Sequence, residues 1–280
     1  MIKRLIISLL IAMMVFSLVL FGCSKAPAEK TAVDTTAEKS EERVEETPEE
    51  TTEEEPIEEE ALEETVEEPA QEENAPTEGE VTFTTEDGID ISGNIFGTGS
   101  KWVILSHMYP TDQTSWFGFA RELADKGYIV LTYDFRGYGK SSGAQDIPNI
   151  YKDLEAALNF VKQYDTEEIF LIGASMGGTA SLIVASKEEV DGVVSFSGAM
   201  EFMGLSAEGT VQDIGSPKLF IASQGDGGAA DVANKFYEDS STSKYMTILN
   251  GSSHGTFVFD EEPDEAIIAK QSIFDFLEFG

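Results

Sequence analysis

The 280-residue chain is short of most of the groups that carry metal, redox or nucleic-acid chemistry. It has one cysteine, two histidines, and 18 Lys or Arg against 53 Asp or Glu. A single cysteine excludes an internal disulfide. Two histidines, with no HExxH and no cysteine cluster, rule out the usual zinc donor sets, so no metal is expected. No P-loop is present, and "GTGS" at 97–100 reads as a turn between strands, which leaves no expected cofactor. A net charge of -35 would repel phosphate, so nucleic acid is excluded as a partner. The chemistry has to come from ordinary side chains.

The shortage of cations is uneven along the chain. Residues 24–80 hold 23 Asp or Glu, 4 Lys or Arg and no aromatic residue. Such a stretch has almost nothing to bury against the entropy cost of ordering, and like charges at i,i+4 between Pro56 and Pro69 disfavour a helix. It reads as a disordered acidic spacer, whose r.m.s. span would be about 40 Å. Before it, "MIKR" and the apolar run "LIISLLIAMMVFSLVLF" read as a secretory signal or a short membrane span. The run ends in Leu20-Phe21-Gly22-Cys23, which resembles the lipobox of bacterial lipoproteins. That resemblance implies a signal peptide over 1–22, cleaved before Cys23, the lipid-modified residue. An uncleaved anchor is the alternative. Either way the expected location is extracytoplasmic and membrane-attached, with 23–80 as lipid-anchor cysteine and linker.

Residues 81–280 have globular composition and are long enough for one domain with a substantial core. "VTFTT" and "IDISGNIFG" alternate apolar and polar residues across "EDG", the pattern of an antiparallel hairpin. "KWVILSH", "YIVLTYD", "IFLIGA", "GVVSFSG", "KLFIAS" and "YMTILN" are continuous apolar runs, the pattern of strands buried on both faces. Amphipathic segments near 114–126, 149–164, 176–188, 229–240 and 264–278 separate them. The expected fold class is α/β: a mostly parallel, doubly wound sheet with an antiparallel N-terminal hairpin. Ligands in such sheets bind at loops leaving the carboxyl ends of strands.

One of those loops is Gly173-Ala174-Ser175-Met176-Gly177, a G-x-S-x-G between a strand and a helix. Small flanking residues let the chain reverse sharply and hold the Ser175 hydroxyl exposed. A serine hydroxyl needs a base to take its proton and a carboxylate to orient that base. His254 follows the last strand, and Asp226 follows the strand before it. The order Ser175, Asp226, His254 is that of a triad on this fold. Asp231 and Asp260 are competing acids.

The second histidine, His107, ends another strand in "VILSHMYPTDQTSW". With the elbow and the order of triad residues, this strand end makes 81–280 resemble the α/β-hydrolase superfamily. The resemblance implies an oxyanion hole from the backbone N–H groups of Met176 and Tyr109, although Met108 stands where the family commonly has Gly. "YDFRGYGKSSG" resembles the family's D-x-R-G-x-G-x-S segment, which implies structural roles for Asp134 and Arg136. Residues 198–217 are too few for a large cap domain, which predicts an open cleft, and the apolar segment with Met200, Phe202, Met203 and Leu205 either flanks it or packs down on the core. The resulting reading is a serine hydrolase of carboxylic esters or thioesters, acting on a small molecule. A serine peptidase with the same triad and a non-catalytic exported binding module are the alternatives.

Overall fold

The computed structural model describes residues 75–241 and 243–280. The apolar amino-terminal run, Cys23 and most of the acidic tract lie outside the described residues, with the expectations attached to them. The chain forms β1 (Gly79–Thr84), β2 (Asp90–Phe96), β3 (Lys101–Ser106), α1 (Phe117–Ala124), β4 (Ile129–Tyr133), α2 (Tyr151–Val161), β5 (Glu168–Ala174), α3 (Met176–Ala185) and β6 (Gly192–Phe196). It continues through β7 (Glu201–Phe202), β8 (Leu205–Ser206), β9 (Lys218–Ser223), α4 (Ala229–Asp239), β10 (Lys244–Leu249), α5 (Phe257–Glu261) and α6 (Pro263–Phe279). β1 takes in Gly79 and Glu80, which the sequence reading assigns to the acidic spacer.

Eight strands make one sheet in the order β1-β2-β4-β3-β5-β6-β9-β10. β1 pairs antiparallel with β2, and β2 antiparallel with β4; every later pairing is parallel. Alternation along each strand divides the core into two layers. Val103, Leu105, Phe170, Ile172 and Val194 meet α1 and α6 through Phe119 and Ile273. Trp102, Ile104, Leu171 and Val193 face the other way, toward Leu154 of α2, Ala180 of α3 and Phe236 of α4. With helices on both faces, the central strands have no solvent side, which accounts for their unbroken apolar runs. β10 departs from this expectation. It is an edge strand with Tyr245 and Ile248 exposed, because no strand covers its far side.

The chain leaves β3 for β4 on one side and later places β5 on the other, so the winding reverses between β3 and β5. Crevices open at such a reversal, outside the carboxyl ends of the strands. The loops after β3 and β5 therefore flank the place where a ligand can enter.

Candidate active site

Ser175 sits between β5 and α3 with φ 51° and ψ -118°, a left-handed conformation that costs a non-glycine residue about 1–3 kcal/mol. Its neighbours explain how the turn closes. A Cβ at position 173 would overlap the Gly177 carbonyl, and one at 177 would overlap the Ser106 carbonyl on β3. Only glycine at both positions lets β5, the elbow and β3 approach this closely. The Ser175 N–H donates to Phe196 O at 2.8 Å, which fixes the elbow to the end of β6.

Asp226 and His254 come together on the loops that extend β9 and β10. Gln224 N–H donates to Leu249 O and Gly225 N–H to Gly251 O, both at 2.9 Å, so the two loops continue their strands' pairing for a turn. His254 Nδ1 lies 2.7 Å from Asp226 Oδ2. A carboxylate accepts from Nδ1–H and so fixes the tautomer, leaving Nε2 as the basic nitrogen. Asp231 lies on α4 and Asp260 on α5, and among the described residues neither bonds His254. Gly255, next to His254, packs against Ala174, next to Ser175: a Cβ added at 255 would lie 3.2 Å from the Ala174 Cβ. Serine elbow and histidine loop are thus in contact. Among the described residues no hydrogen bond joins Ser175 Oγ to His254 Nε2, in keeping with the long catalytic bonds common in unliganded sites.

The loop after β3 completes the site. His107 is fully buried, accepts the Phe135 N–H at Nε2 (3.0 Å), and lies 3.0 Å from Met108 O through Nδ1. Both nitrogens are engaged, and burial holds the imidazole below its ordinary pKa, so His107 is a neutral strut. Met108 turns inward: it is fully buried, and its Sδ accepts from Thr256 Oγ1 at 3.5 Å. It wedges the β3 loop against the histidine loop and stays out of the entrance. Tyr109 is exposed, with its ring 6.0 Å from that of Phe202. Among the described residues, the N–H groups of Tyr109 and Met176 meet no acceptor.

Asp134 and Arg136 are tied into the frame. Asp134 accepts from Gln113 N, Gln113 Nε2 and Lys140 N. Arg136 is buried between Asp153 and Asp87, whose carboxylate the Arg136 hydrogen bond holds far below the ordinary range.

Of the residues expected to flank the cleft, Phe202 and Met203 lie on the small β7–β8 hairpin, and Met203 is exposed. Leu205 is instead buried and Met200 packs on the core, because the hairpin folds down onto α3. Sequence reasoning missed the residues that grip the histidine loop. Ser197 Oγ accepts from Gly255 N–H (3.2 Å), and Ser223 Oγ donates to Ser253 O (2.8 Å). Glu262 Oε1 accepts from the N–H groups of Ser252 (2.8 Å) and Ser253 (3.1 Å). The only signal for the two serines was their position at strand ends. A groove of about 670 Å³ lies elsewhere, between β1 and α2. Its lining of Thr, Glu and Lys holds none of the groups gathered around Ser175.

Residues 101–253, more than half of the chain, match the α/β-hydrolase fold family, and the chain belongs to that family. It is 36% identical over 84 residues to the alpha/beta hydrolase domain-containing protein aho-3 of Caenorhabditis elegans, covering 29% of this chain and 25% of that protein. It is 34% identical over 119 residues to the 2-hydroxy-6-oxononadienedioate/2-hydroxy-6-oxononatrienedioate hydrolase of Escherichia coli K12, covering 40% and 41%. The chain thus spans well under half the length of either relative. The Pyrococcus furiosus esterase Pf2001 superposes with a TM-score of 0.62 at 20% identity, over 72% of this chain and 90% of that one. That likeness concerns the fold.

Proposed function

We propose that the protein is a serine hydrolase of carboxylic esters or thioesters, held outside the cell membrane by a lipid on Cys23. The observation that carries the reading is the 2.7 Å bond from Asp226 to His254, on a loop packed against the strained Ser175 elbow. In this reading His254 Nε2 takes the Ser175 hydroxyl proton as Oγ bonds the substrate carbonyl carbon. Asp226 stabilises the imidazolium. The carbonyl oxygen becomes negative and is received by the N–H groups of Met176 and Tyr109, each donor lowering the barrier by roughly 3 kcal/mol. Collapse of the intermediate breaks the ester bond, and His254 returns the proton to the leaving alcohol or thiol. Water then attacks the acyl-enzyme, with His254 again as base.

Tyr109, Phe202 and the exposed Met203 give the entrance an apolar side suited to a small acyl or alkyl group. The segments 102–120, 188–217, 219–234 and 245–269 contain no Lys or Arg. A carboxylate on the substrate would find no cation on these loops. The substrate we infer is therefore an uncharged ester, unlike the dioate for which the E. coli relative is named. The chain would be arranged as signal peptide 1–22, anchor and acidic spacer 23–80, and hydrolase domain 81–280.

The test is fluorophosphonate labelling of the full-length protein, mapped by peptide mass spectrometry, beside an ester and peptide panel. Labelling of Ser175 that is lost in His254→Ala, with ester turnover, supports the reading. Turnover of peptides alone would make the protein a peptidase, and no labelling of the folded protein would leave a binding module. Loss of metabolic lipid labelling in Cys23→Ala tests the anchor.

A further inference from the structure

The end of β6 touches both sides of the proposed catalytic pair. Phe196 O accepts the Ser175 N–H at 2.8 Å, and the next residue, Ser197, accepts the Gly255 N–H on Oγ at 3.2 Å. Ser197 N–H donates to Ile221 O at 2.7 Å, on the strand that leads to Asp226. Two consecutive residues thus bond the backbone at the serine elbow, the acid's strand and the histidine's loop. Ser197 is 2% exposed and has φ 51°, in the left-handed region that favours glycine. A serine in this conformation at a buried strand end calls for a reason, and its hydroxyl supplies one. Gly255 is buried, and without that oxygen its N–H would lose its acceptor. On the other side of His254, Ser223 Oγ donates to Ser253 O at 2.8 Å. His254 is therefore held at both flanking peptide groups.

We propose that Ser197 is a positioning residue that sets the separation of His254 from Ser175; this rests on the triad reading above. It touches neither substrate nor reacting atoms, and it acts through the Gly255 peptide.

The experiment compares Ser197→Ala and Ser197→Gly in the full chain, beside His254→Ala. Alanine keeps the strained backbone and removes the oxygen; glycine removes both the oxygen and the strain. If the hydroxyl positions the base, both variants lose about 10- to 100-fold in kcat with KM nearly unchanged, the scale of a misplacement near 1 Å. Fluorophosphonate labelling of Ser175 slows by the same factor, and amide exchange at Gly255 accelerates in both. If Ser197 only shapes the turn, glycine matches or exceeds the wild type in kcat, and the proposal is overturned. Unchanged exchange at Gly255 in Ser197→Ala overturns it independently of any activity. Full activity in His254→Ala would instead remove the base assignment, and this proposal with it.

Discussion

The two ends of the parallel sheet are built from different residues. At the amino ends, β3, β9 and β10 open on Lys101, Lys218 and Lys244, and each ammonium is engaged. Lys101 pairs with Glu168 at 2.7 Å, Lys218 donates to Ile214 O and Ser216 O, and Lys244 donates to Tyr237 O and Ser240 O. At the carboxyl ends the chain places serines: Ser106, Ser175, Ser197 and Ser223. There, among the described residues, Ser175 Oγ, His254 Nε2 and the N–H groups of Tyr109 and Met176 meet no partner. Closed polar groups hold the structure in place. Open ones hold reactivity in reserve, and the strand direction of an α/β sheet gathers them on one side.

The sharpest way to break this contrast is at Ser175. Ser175→Gly removes the proposed nucleophile and also the cost of its left-handed backbone. We expect kcat to fall by about 10³-fold or more, while stability rises by roughly 1 kcal/mol. Denaturant unfolding together with ester turnover checks both. A variant that is inactive and also less stable would mean that the elbow is not strained.

The amino end should respond in the opposite sense. Lys218→Met keeps the buried stem and leaves two carbonyls without their donor, a loss of roughly 1–3 kcal/mol. Turnover per folded molecule should be unchanged. An equal fall in kcat would mean that the two ends are coupled.

Strand positions were legible because burial on both faces imposes continuous apolar runs, and "KLFIAS" and "IFLIGA" match β9 and β5 to within a residue. The elbow was legible because its two glycines answer a local steric demand. The grip on the histidine loop was not. Ser197 and Gly255 are 58 residues apart, and Ser223 and Ser253 are 30 apart. Contacts at that separation leave no periodicity to read. The inward turn of Met108 was hidden for the same reason, since it depends on Thr256. The edge position of β10 depends on strand order, which apolar runs do not encode.

Glu262 allows a milder test at the carboxyl end. The Ser252 N–H, followed by those of Ser253, holds its carboxyl below the ordinary value of 4.5. A depressed carboxylate stabilises the fold fully above that ordinary value, and the contribution fades as pH falls through the lower, folded one. The melting-temperature difference between wild type and Glu262→Gln should therefore be constant near neutrality and close as pH falls below 4.5. A difference that persists to the acid limit would show that the charge is not what grips residues 252 and 253.

The smallest effect concerns charge at the entrance. Asp112, Glu201, Glu208, Asp231 and Glu261 lie beyond the carboxyl ends of β3, β6, β9 and β10, in segments that contain no Lys or Arg. The cations that do reach this side, Arg136 and Lys140, are paired with Asp153 and Glu80. An ester carrying a carboxylate approaches against this field and finds nothing to neutralise it. Its kcat/KM should fall a few-fold below that of an uncharged ester of the same shape at low salt. The gap should narrow once the Debye length drops to about 3 Å near 1 M salt. An anionic ester cleaved as fast as the neutral one at low ionic strength would strip the contrast between the two ends of its electrostatic content. The difference between them would then rest on strain and open hydrogen-bond donors alone.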